Sequence, residues 1–135
     1  MVVAPREWIV LANSPQVGSK SHSGSRDFSK KLASFEIDET EFLKDYGKAP
    51  TCCFEFAESP RISTYLYCFI AGPYELFVSD NEEIRNFRVP LRLLCRKSVA
   101  KYLENSKEDY FSTTKSGIEF YEKTFSTPYP FAKLD

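Results

Sequence analysis

Near the start of the chain the apolar positions form one short block, "EWIVLANS", β-branched at its centre and closed by Asn13, Ser14 and Pro15. This pattern predicts a strand. The pattern then dissolves into "PQVGSKSHSGSRDFSKK", rich in Ser, Gly and Lys, which predicts a solvated loop. In "FEIDETEFLKDYGKAP" the apolar contacts are Phe35, Phe42, Leu43 and Tyr46; acids come early, Lys44 late, and Gly47 stands at the end. That order suits the helix dipole and predicts a short helix with its stop signal.

Period two returns in "TCCFEFAESP", with Phe54 and Phe56 on one side. In "RISTYLYCFIAGPYELF", Ile62, Thr64, Leu66, Cys68 and Ile70 alternate with Tyr65, Tyr67 and Phe69. Both faces are apolar, which predicts a central strand covered on both sides. Gly72-Pro73 interrupts it: proline lacks the donor a ladder needs, so a bulge or bend is expected there. "FRVPLRLLCRK" alternates again, and Pro90 predicts a strand at or near a sheet edge. From Ser98 the period lengthens. Val99, Tyr102, Leu103, Tyr110, Phe111, Thr114, Ile118, Tyr121 and Phe125 recur at three and four residues, as one long helix or two in series around Asn105-Ser106. The prolines of "STPYPF" end it.

Composition narrows the function classes. The length, 135 residues, is that of a single modest domain, and the net charge is −1. Such a balance supplies no long-range field for nucleic acid or anionic lipid. No apolar run approaches a membrane span, and the N-terminus lacks the order of a secretory signal, so a cytoplasmic protein is expected. Cys52, Cys53, Cys68 and Cys95 form no CxxC; Cys68 and Cys95 sit in apolar runs, and all four read as reduced core residues.

Other candidate chemistry dissolves on the same grounds. His22 has no partner in its loop and reads as a solvent-exposed bystander. Glu36, Asp38, Glu39 and Glu41 lack the spacing and central glycine of a calcium loop, and read as a solvated helix start. The basic loop "SKSHSGSRDFSKK" reads as flexible rather than phosphate-binding. Tyr65, Tyr67 and Phe69 have apolar neighbours and no basic groove, so core packing outweighs a base-stacking platform. Cys95 stands beside Arg96 and Lys97, yet no histidine is near it in sequence to complete a nucleophilic pair.

Three stretches together resemble one family, the zinc aminopeptidases of the aminopeptidase N and puromycin-sensitive type. "EWIVLANSPQV" resembles its Trp-x-x-x-Ser/Ala-Asn strand through Trp8 and Asn13. "FEFAESPRISTYLYCFIAGPY" meets its second pattern at Phe56, Pro60, Ser63, Thr64, Tyr65, Leu66 and Gly72. "FYEKTFSTPYPFAKLD" resembles Phe-Gly-x-Pro-Tyr-Pro-x-x-Lys-x-Asp at Phe125, Pro128, Tyr129, Pro130, Lys133 and Asp135. Ser126 replaces the usual glycine there, at an expected small cost. Residues 16–51 match least.

The resemblance implies an α+β chain. Residues 1–97 would be the C-terminal part of a saddle-like N-terminal domain of antiparallel strands, with 16–51 a variable loop plus short helix. Residues 98–135 would open a thermolysin-like catalytic domain, stopping before its zinc site. The family's chemistry uses Gly-x-Met-Glu-Asn to hold the substrate's amino group. It also uses His-Glu-x-x-His and a distant Glu, where zinc activates water for the glutamate to deprotonate. This sequence has one histidine, His22, and one methionine, Met1, so neither motif is in it. No catalytic, cofactor-binding or metal-binding residue is therefore assigned, and zinc is expected only in a full-length parent acting on peptides. The alternative is a non-catalytic interaction module whose strand edges meet a protein partner. Poor solubility and a non-cooperative melt are expected of the chain alone, because its apolar faces suit segments it does not carry.

Overall fold

Strand β4 (Thr51–Phe56) buries three consecutive residues, Cys52, Cys53 and Phe54. Neighbouring side chains on a strand point to opposite faces, so such a run belongs to a strand flanked on both edges and covered on both sides. β1 (Val2–Pro5) and β3 (Gln16–Ser21) supply those edges, in the antiparallel order β1-β4-β3. The structure, a computed structural model, describes residues 1–21 and 50–135. It divides into two compact units, Met1–Ala71 and Gly72–Asp135. The helix expected over 35–47, the carboxylates at 36–41 and His22 lie outside the described residues.

In the first unit the expected period-two face is present. Cys52, Phe54 and Phe56 pack with Val2, Ala4, Trp8, Val10 and Ala71. The strand read from "EWIVLANS" is β2 (Ile9–Ala12), which pairs with β5 (Phe69–Gly72). Two expectations are corrected. Gln16–Ser21, read as loop, is strand β3, shifted in register between Gln16 and Gly18. An edge strand needs only its backbone groups to pair, so a polar, glycine-bearing sequence suffices. The long strand read across Ile62–Ile70 is absent: Thr64–Leu66 is a 3₁₀ turn, and only Phe69–Gly72 is extended. Tyr65, Tyr67 and Phe69 are 83%, 62% and 53% exposed rather than core residues.

The second unit holds β6 (Tyr74–Phe77), α1 (Glu82–Arg85), β7 (Leu93–Arg96), α2 (Ala100–Glu104) and α3 (Lys107–Phe125). β6 and β7 pair antiparallel, Tyr74 facing Arg96 and Phe77 facing Leu93. The break at Gly72-Pro73 falls between β5 and β6, as expected. A Cβ on Gly72 would meet the Tyr74 ring at 2.8 Å, so the close approach itself requires glycine. Phe111 and Ile118, one helical stripe of α3, bury against Phe77, Ile84, Val89 and Leu91. The strand read from "FRVPLRLLCRK" is shorter than its alternation. Val89 and Leu91 are buried, but regular pairing begins only at Leu93, beyond Pro90, which has no amide to give. The helical region is two helices in series, parted at Asn105-Ser106. With antiparallel pairs and helices, the chain is α+β.

Candidate functional site

The residues that carry the family pattern gather at two places, one in each unit. In the first unit Asn13 ends the β2 stretch and turns its side chain to the 3₁₀ segment. Its Nδ2 donates to the Leu66 carbonyl at 3.0 Å, and its Oδ1 accepts the Cys68 amide at 2.8 Å. These backbone groups belong to the segment read as strand, and an amide side chain takes them in place of a ladder partner. Trp8 and Phe56 pack against the core below. Ser63 precedes the 3₁₀ turn without a side-chain cap bond. Cys68, expected inside, is exposed.

In the second unit the pattern builds the end of α3 and the segment after it. Ser126 stops the helix in the left-handed region, at φ 49° and ψ 34°. Its amide and that of Thr127 both reach the Glu122 carbonyl. Serine carries a Cβ penalty there that glycine lacks, so the replacement is not cost-free. The Glu122 carboxylate accepts the Tyr129 amide at 2.5 Å and forms an ion pair with Arg88. Arg92 then holds Asp135 by two parallel bonds, Nε at 2.5 Å and Nη2 at 2.8 Å, and Lys133 pairs with the same carboxylate. Burial alone would raise the Asp135 pKa. The bonds from Arg92 and Lys133, with their charge, outweigh burial and hold the carboxyl below its ordinary value. Burial, aided by the nearby Asp135 charge, pushes the Tyr129 phenol up. Between α3 and this segment runs an apolar groove of about 640 Å³, lined by Ile118, Tyr121, Phe125, Pro128, Tyr129 and Pro130 among others.

A third cluster joins α3 to the turn before α1. Ser79, 2% exposed, donates from Oγ to Glu108 Oε2 at 2.5 Å, while Glu108 Oε1 accepts the Asp80 amide at 2.7 Å. The Asn81 side chain caps α1 by accepting the Glu83 amide. Lys107 bridges Glu104 and Asp80, and those two bonds raise its pKa. A hydroxyl beside a carboxylate invites a nucleophile reading. Ser79 is closed to substrate, however, and its own oxygen already accepts the Asn81 amide.

Asn13, Ser79, Glu108, Glu122, Arg92 and Asp135 are therefore engaged with backbone groups, with one another or with other ion-pair partners. Among the described residues no group of three His, Cys, Asp or Glu stands where it could hold a metal ion. Catalytic zinc needs three protein ligands, so these residues do not fit one. Cys95 is half-buried against the second core, Cys52 and Cys53 are buried, and no disulfide joins the four cysteines. No helix among the described residues is long and apolar enough to cross a membrane. Sequence reasoning recognised Asn13, Lys133 and Asp135 as pattern residues. It missed Glu108, Glu122 and Arg92, whose partners stand 28, 7 and 43 residues away.

No family model matches the chain. Individual proteins do. Aminopeptidase N of Streptomyces lividans is 29% identical over 134 residues, which is 99% of this chain and 12% of that protein. Aminopeptidase 2, mitochondrial, of Saccharomyces cerevisiae is 34% identical over 97 residues, 70% of this chain and 9% of that protein. Aminopeptidase 2 of Candida albicans is 27% identical over 134 residues, 99% of this chain and 11% of that protein. The chain thus spans about a tenth of the length of the curated relatives it matches.

Proposed function

Because this chain belongs by sequence with the aminopeptidases of the aminopeptidase N and aminopeptidase 2 kind, we propose that it is a structural part of a zinc aminopeptidase. The whole enzyme would release N-terminal residues from peptides. In that reading residues 1–97 are the end of the saddle-like β domain, with 16–51 its variable part. Residues 98–135 open the thermolysin-like catalytic domain, and α3 is one of its first helices.

One observation carries the reading. Trp8, Asn13, the "STYL" residues and "PYPFAKLD" stand in the family's order over nearly the whole chain, yet the sequence holds a single histidine. A site with two histidine ligands on one helix face cannot be drawn from one. The zinc, the glutamate that deprotonates its water and the grip on the substrate's amino group then belong to polypeptide outside these residues. What this chain supplies is rigidity. The Asn13 grip and the Arg92–Asp135 fork hold backbone segments in place without touching substrate.

The test is the sequence of the mature transcript on either side of these codons. Continuation after Asp135 into Gly-x-Met-Glu-Asn and then His-Glu-x-x-His is the predicted result. A stop codon at that point in the transcript would overturn the reading.

A further inference from the structure

We draw no further inference here: the strongest candidate, the apolar groove of about 640 Å³ between α3 and the segment after it, is an unpartnered face, and nothing in the structure shows what covers it.

Discussion

Asn13 and Cys68 are joined by a bond from backbone to side chain across 55 residues, the Cys68 amide giving its proton to Asn13 Oδ1 at 2.8 Å. The other end of the same amide group serves Leu66. Replacing Asn13 by Ala removes both bonds at an exposed site, at about 1 kcal/mol each. Exchange of the Cys68 amide should therefore quicken about tenfold or more. Asn13→Asp keeps the acceptor and loses the donor, so the Cys68 amide should stay protected while the turn at Leu66 loosens. Equal exchange in all three proteins would show that the grip contributes nothing.

Glu108 ties the 79–81 turn to α3 through one buried hydroxyl and one backbone amide. Glu108→Ala leaves the Ser79 hydroxyl buried without its acceptor. The cost is about 1–3 kcal/mol, read as an earlier denaturant midpoint of the second unit. The double variant Glu108→Ala with Ser79→Ala should recover part of the loss, since the orphaned donor goes too. No recovery would place the cost elsewhere.

Ser126 holds a left-handed backbone at φ 49°. Ser126→Gly removes the Cβ strain and adds chain entropy to the unfolded state, leaving a net gain of about 0.5–1 kcal/mol. Ser126→Val, β-branched, should lose more than that. Thermal melting of the intact protein checks both, and a glycine variant less stable than the parent would contradict the assignment.

How much of this was legible in the sequence depends on what each residue's partner is. β2, β4 and the paired helices were legible because their periodicity is fixed by cores within each unit. The stop at Ser126 was legible from the prolines beyond it. The run from Arg61 to Phe77 misled because apolar periodicity records that faces will be covered, not by what. Tyr65 and Tyr67 are apolar on a strand-like spacing, yet they stand exposed while Asn13 takes the backbone groups a ladder would use. β3 was missed because an edge strand advertises itself in backbone pairing alone. The contacts of Glu108, Glu122 and Arg92 bridge segments apart in sequence, and no local pattern marks them.

Acid should loosen the segment after α3. The Asp135 carboxyl is held below its ordinary value in the folded chain, so the unfolded chain binds its proton more readily. Its stabilisation is complete above the unfolded value, about 3.9, and is lost as pH falls through the lower folded value. Asp135→Asn should remove this share of the acid limb of the stability curve and lower stability at neutral pH. The shares of Asp80 and Glu83, also held low by Lys107 and Lys115, should persist. A variant with an unchanged acid limb would contradict the fork's role.

The most direct measurement sets two samples beside each other on an amino-acid anilide with zinc supplied: this 135-residue chain, and the native product captured from its own cells. The first should release no aniline, and the second should release it until a chelator strips the metal. Turnover by the short chain, free of contaminating peptidase, would contradict the claim that the reacting groups lie outside it.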